Sequence, residues 1–378
     1  MKPIDHPTTG LTRRACLVLV GSALSGCGGG GLASLVPGTG GTGSPLYSQG
    51  SISGFGSVIV NGIKFDDTQA TVLIDGAAAK SSDLRLGMVA GVQGQRSAAN
   101  ATLGTAAAIE VWSIALGPVE SVSGITFVAS GMTIDTDSNT VFEGISAGSS
   151  LTTGQTVSVW GLQVATDGSR WRATRVNLVA ASTNRVVTGL VSSQTTLNGW
   201  VLSGAGSLPT NTMVRLQGTS TDSTHLNVSS TQVLNYGFET YAEGTLEIEG
   251  VVTSIPANGR FMLGNIMVDA SALALSTLVS QLAVGNQIEV YGSWTSGVLL
   301  ASQIALEGEQ SKGIEIEAKI ETFTSVADFV MRGQRCDATP VKLSDTLATK
   351  LSTWKGLIKV KGTILGEVLM VTELEFEN

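Results

Sequence analysis

One spaced pattern recurs down the chain and restricts what it can fold into. It reads Leu, Gly three residues on, apolar residues at six and eight, and Gly at ten. The copies are Leu84, Gly87, Ala90, Val92, Gly94; Leu151, Gly154, Val157, Val159, Gly161; Leu208, Asn211, Val214, Leu216, Gly218; and Leu282, Gly285, Ile288, Val290, Gly292. A fifth copy, shifted at its start, is Leu351, Ile358, Val360, Gly362. The spacing predicts a short helix or turn ended by Gly or Asn, then a strand with alternating inward residues, then Gly closing that strand at a turn.

Each copy has a second alternating segment behind it: Ala106 to Trp112, Trp171 to Val179, His225 to Leu234, Val298 to Leu306 and Glu367 to Phe376. Each also has a first strand ahead of it, near Gly50, Gly117, Gly189, Gly250 and Ala318. Two further short strands fit in between, clearest at Ser57–Asn61 and Thr71–Asp75, with Asn61-Gly62 as a hairpin turn. The unit is β-β-β-(short helix)-β-β, the order of an OB-like barrel. The chain is therefore expected to be all-β: a tandem array of about five five-stranded OB-like barrels, each with a short helix between strands 3 and 4. The helix signal is best developed late, as Leu275, Leu278, Val279 and Leu282, and as Leu343, Leu347 and Leu351 capped by Ser344 or Asp345. The third copy lacks a clear third strand and the fifth lacks the early Gly.

The N-terminus carries a different signal. Arg13 and Arg14 precede an apolar stretch from Ala15 to Leu24, the layout of a bacterial export leader and too short for a stable membrane span. The stretch ends in Leu24-Ser25-Gly26-Cys27, which resembles the lipobox of bacterial lipoproteins. That resemblance implies cleavage between Gly26 and Cys27 and a diacylglycerol on the Cys27 sulfur. Several acyl chains would anchor firmly, at about 0.8 kcal/mol per buried methylene. Thr12-Arg13-Arg14 also hints at twin-arginine export, and Gly28 in place of Asp looks like outer-membrane sorting. Residues after Cys27 are rich in Gly, Ser, Thr and Pro and read as a flexible tether. Gly38-Thr39-Gly40-Gly41-Thr42-Gly43 matches a dinucleotide fingerprint, but no βαβ unit surrounds it.

The expected organisation is a leader at 1–26, a lipidated Cys and tether at 27–48, and repeats at 49–115, 116–183, 184–243 (degenerate), 244–311 and 312–378. Short joins such as Leu116-Gly117-Pro118 suggest limited hinge motion between barrels. The run Gly50 to Asp66, with Thr71 to Gly76 and Leu84 to Gly94, resembles a family of bacterial outer-membrane lipoproteins built from tandem small β-barrels and catalogued as a domain of unknown function. The resemblance implies fold and an envelope location, with no established activity.

Charge and composition narrow the function classes. Charged residues are 14%, and the formal net charge of −8 becomes −10 once residues 1–26 are removed. A chain repelled by phosphate is a poor nucleic-acid binder. After the leader there is one histidine, His225, expected exposed at a hairpin turn, and one unlipidated thiol, Cys336, expected half-buried. Zinc and copper sites lack ligands. Asp135-Thr136-Asp137-Ser138-Asn139 opens like a calcium loop, but Thr140 and Ser146 stand where Gly and Glu are needed. Asp66 and Asp67 could meet Asp75 across a sheet as a weak cation site. Ser352-Thr353-Trp354-Lys355 is an isolated Ser-x-x-Lys fragment. The tryptophans Trp112, Trp160, Trp171, Trp200 and Trp294 fall on strands as core or interface residues, with room for one or two on a sugar-binding face. No catalytic residue, cofactor or metal is expected. The expected class is a non-enzymatic, lipid-anchored envelope protein, a row of barrels with an envelope protein or glycan as partner. A polysaccharide hydrolase with paired carboxylates and a divalent-cation binder are the alternatives. Nothing in the sequence fixes an oligomeric state.

Overall fold

The computed structural model describes residues 44–234, 238, 245–254, 257–273, 282–306 and 313–377. Among the described residues nearly all regular structure is strand, and these strands form five small barrels. The first barrel shows the plan. Its opening strand, Ser44–Phe55, lies antiparallel to Val58–Val60 on one side and to Val89–Arg96 on the other. Val58–Val60 pairs with Ile63–Asp66, which runs parallel to Leu103–Val111, and that strand closes the circle against Val89–Arg96. The strand order around the barrel is therefore 1-2-3-5-4, the OB arrangement. The hairpin Thr71–Ile74 with Ala77–Ala79 adds to the last strand.

The second, fourth and fifth barrels repeat this order. In the fifth, the first strand is broken into Ile314–Ala318 and Thr322–Ser325. The third barrel does possess a third strand, Trp200–Ser203, parallel to His225–Val233. Its weak element is the second strand, only Thr196–Leu197, which no ladder joins to Asn184–Leu190 among the described residues. The Asn198 side chain bridges that seam by donating to the Thr188 carbonyl at 2.7 Å.

The repeated glycines act differently from the sequence reading. The Gly at position ten does not end its strand. Gly94, Gly161, Gly218, Gly292 and Gly362 each sit within the fourth strand at a β-bulge, and the strand continues past them. A Cβ there would lie 2.1–2.4 Å from a carbonyl oxygen of the fifth strand: that of Thr105, Arg172, Asn227, Leu300 or Met370. The bulge bends the strand around a narrow barrel, and the close backbone approach excludes any side chain. The residue at position three does follow expectation: Gly87, Gly154, Asn211 and Gly285 all have positive φ. The Asn61-Gly62 turn also has both residues at positive φ, the two-residue hairpin geometry.

Among the described residues, the expected helix before the fourth strand is an α-helix in the fifth barrel. There Asp345–Thr353 is capped by Ser344, whose side chain accepts from the Leu347 amide, and Leu351 is fully buried. The first and second barrels have single 3-10 turns at Ser81–Asp83 and Gly148–Ser150, too short and polar to present an apolar stripe. In the fourth, Leu275, Leu278 and Val279 lie outside the described residues, while Leu282 is buried in the barrel core. The first strand opens at Ser44, so residues 44–48, read as tether, are strand. Leu46 and Tyr47 are buried there, and the Ser and Gly around them hid the alternation.

The barrels do not stand in a row. The opening strand of the first barrel also pairs in parallel with Thr245–Val251 of the fourth, at Leu46↔Thr245 to Gln49↔Ile248, and with Ile314–Ala318 of the fifth, at Phe55↔Ile316. The second and third barrels are joined by Ala115–Ser123 pairing with Asn184–Leu190. Leu116-Gly117-Pro118 is thus mid-strand and laddered on two sides, at Thr156–Ser158 and Val186, where a hinge was expected. The cores of the second, third and fourth barrels are separate apolar clusters. Those of the first and fifth fuse into one. No described helix is long and apolar enough to cross a membrane.

Candidate functional site: buried charges between the barrels

The side chains with the most perturbed chemistry lie where barrels meet. In the strand Thr245–Val251, Leu246 and Ile248 point into the fourth barrel and Glu247 and Glu249 point outward. Outward here means against the first barrel, and both glutamates are 1% exposed. Arg96, at the end of Val89–Arg96, donates from Nη2 to Glu247 Oε2 at 2.7 Å. Across the fourth-barrel ladder Glu247 faces Tyr291, and Glu249 faces Glu289. The Tyr291 hydroxyl donates to Glu289 Oε2 at 2.9 Å and also lies in hydrogen-bond contact with Glu247. Glu249 accepts from the Ser51 amide at 2.7 Å and from Gln287 Nε2. The backbone seam is tied by Asn61, whose Nδ2 donates to the carbonyls of Gln49 and Glu247.

Burial pushes the Glu247 carboxyl up to about 7, against the pull of Arg96 and Tyr291 and with a further push from Glu289. The Tyr291 phenol is driven well above its usual range by burial and by the two carboxylates beside it.

Two arginines seal other contacts. Arg215, 2% exposed on the third barrel, donates from Nε to the Ser113 carbonyl at 2.6 Å and from Nη2 to Asp75 Oδ1 at 2.6 Å. Its guanidinium also lies 5.2 Å from the ring centre of Trp112. Arg175, on the second barrel, donates to the Leu86 carbonyl of the first at 3.0 Å and pairs with Glu143. Burial lowers the Arg175 guanidinium to about 10, partly restored by Glu143.

The residues singled out from sequence are not brought together. Gly26, Cys27 and the Gly38–Gly43 run lie outside the described residues. His225 is exposed at the start of its strand, with Nδ1 3.0 Å from Asp222 Oδ2. Backbone amides of Thr224 and His225 pull the Asp222 carboxyl down to about 2. Cys336 is fully buried rather than half-buried, inside the fused core, and burial pushes its thiol up to about 12.

Asp66 and Asp75 do not meet. Asp66 caps Thr68, while Asp75 is taken by Arg215 and Ser113. Asp135 pairs with Arg170, and Asp137 caps its own turn through Asn139 and Thr140. The described residues contain no group of three His, Cys, Asp or Glu placed to hold a metal ion. Trp171 and Trp200 lie in the cores of the second and third barrels, and Trp160 of the second barrel packs against the core shared by the first and fifth. Lys359 and Lys361 pair with Glu315 and Glu373 on a mixed surface.

Glu247, Glu249, Glu289 and Arg215 escaped the sequence reading because alternation places them on the outer face of their strands, where solvated charges are normal. A signal was present in Glu247-Ile248-Glu249 opposite Glu289-Val290-Tyr291: like charges paired across strands without a lysine, which an exposed sheet avoids.

No curated protein matches the chain. The family model described as a domain of unknown function (DUF5666) matches it three times in tandem, over residues 49–110, 117–177 and 249–305, which are the first, second and fourth barrels.

Proposed function

We propose that this protein is a non-enzymatic, lipid-anchored cell-envelope scaffold that presents the outer surfaces of clustered β-barrels to an envelope protein or glycan. The observation that carries the reading is where the deep charges are spent. Arg96, Arg175 and Arg215 each reach from one barrel to another, and their partners are backbone carbonyls and carboxylates of this same chain. Such side chains tie the barrels into one multi-barrel body and leave the outer faces for recognition. The leader ending in Leu24-Ser25-Gly26-Cys27 supports anchoring through Cys27, and Gly28 supports the outer membrane of a Gram-negative cell.

The test has two parts. Expressed with its leader, the chain should take up radiolabelled palmitate and fractionate with membranes, and Cys27→Ser should lose both. The purified protein should capture one defined envelope protein or glycan from extract while turning over no cell-wall polysaccharide. Turnover lost on a single Glu→Gln or Asp→Asn change would instead establish the hydrolase reading. Buried Glu247, its carboxyl raised beside Glu289, has the chemistry of a catalytic acid, but both face a barrel seam where a polysaccharide has no entry. Calcium titration calorimetry should show no binding heat, because the acidic turns already cap their own backbones.

A further inference from the structure

We propose that the seam between the first and fourth barrels is a proton-operated latch, in which Glu247 takes up a proton when the two strands dock and gives it up as they part. The geometry is that of a closed joint. Ser48 and Glu247 are register partners in the parallel ladder, and Asn61 ties the carbonyls on both sides of it. The Glu247 carboxylate is sealed from water at that point.

Among the described residues, the charged or titratable groups facing it come from three elements. Arg96 comes from the first barrel's fourth strand. Tyr291 and Glu289 come from the fourth barrel's Gln287–Thr295. Glu249 lies two residues along its own strand. A proton on Glu247 removes its repulsion with Glu289 and lifts the cost of holding a charge without water.

The direction of the linkage follows. In the parted or unfolded chain this carboxyl titrates near the ordinary glutamate value of 4.5; docked, it titrates at about 7. The docked form therefore holds the proton more tightly. Its extra stability is whole below pH 4.5 and is lost as pH rises through about 7. The seam is tighter in mildly acidic surroundings and loosens toward neutral and alkaline pH.

The test uses the full chain, held in detergent, with 13C-labelled glutamate carboxyls. The Glu247 resonance, assigned by its absence in Glu247→Gln, should titrate with a midpoint between about 6 and 8, and Arg96→Gln should move that midpoint upward. A midpoint at or below about 5 overturns the proposal. Hydrogen exchange gives the second readout. After correction for intrinsic rates, protection of the amides in 46–49 and 245–251 should fall at least about tenfold from pH 5.5 to 8. In Glu247→Gln it should stay level over that range. Equal falls in both proteins overturn the latch, as does constant protection in the native chain. If Glu247→Gln does not fold, Glu247→Asp supplies the assignment and the native titration still decides.

Discussion

Arg215 and Asp75 stand 140 residues apart in the chain, yet the guanidinium of one lies 2.6 Å from the carboxylate of the other. The pair joins the third barrel to the first, with the Ser113 carbonyl and hydroxyl completing the guanidinium's partners. Burial lowers the arginine's proton affinity and Asp75 partly restores it, so the pair is interdependent. Removing one member strands the other. Arg215→Ala should cost about 3 kcal/mol in urea unfolding. Arg215→Met with Asp75→Asn should recover part of that, because the amide oxygen still accepts from the Ser113 amide, Asn tolerates the positive φ of this position, and no unpaired charge is left behind. A single mutant within about 0.5 kcal/mol of native would show that the contact is idle.

The bulge glycines make a sharper prediction. Gly161→Ala places a methyl carbon about 2.4 Å from the Arg172 carbonyl, with backbone on both sides and no flexible side chain to yield. The substitution should destabilise by about 2 kcal/mol or more. Gly62→Ala, at φ 73° with nothing within 4 Å of the new methyl, should cost only the left-handed penalty of about 1 kcal/mol. Thermal melts of the two variants side by side would distinguish close approach from backbone freedom.

Cys336 should be inert in the folded protein. Its thiol is pushed up to about 12 by burial, and its polar contacts are with backbone, among them the Gln334 carbonyl at 3.5 Å. Ellman's reagent at pH 8 should therefore leave it untouched until denaturant is added, when it should react at the rate of an ordinary thiol. Rapid reaction without denaturant would mean that the fused core opens locally.

The α-helix of the fifth barrel offers a contrast within one element. Leu351 is fully buried in the core shared by the first and fifth barrels, while Leu347, one turn earlier, is 40% exposed. Leu351→Ala should cost about 2–5 kcal/mol, and Leu347→Ala well under half of that. Equal effects in chemical denaturation would mean that the helix is held chiefly by its own propensity.

Much of the fold was legible because inward alternation and turn chemistry are local. The inward positions of the repeat, such as Ala90, Val92, Val157 and Val159, are all buried, and the Asn61-Gly62 turn is where its dipeptide placed it. The bulge glycines were legible as a spacing but not as a function. A glycine that ends a strand and one that bends it look alike until the opposing carbonyl is seen. In the first and second barrels the helix was over-read, because a single 3-10 turn fits the same short segment. What could not be read is which barrel touches which. The outer faces of Thr245–Val251 and Met213–Thr219 carry the ordinary polar alternation of a solvated sheet. Only the non-local return of the chain onto Ser44–Phe55 turns Glu247 and its neighbours into interior groups.

That return orders events in time. The strand Ser44–Phe55 is completed on both flanks only by segments that emerge much later, Thr245–Val251 and Ile314–Ala318. Local hairpins can form as the polypeptide appears, but the founding strand keeps an open edge until nearly the whole length is available. A C-terminal truncation that spares every earlier repeat would thus leave the earliest-made barrel closed but with part of its opening strand uncovered and adhesive, the reverse of what a bead-by-bead array would do.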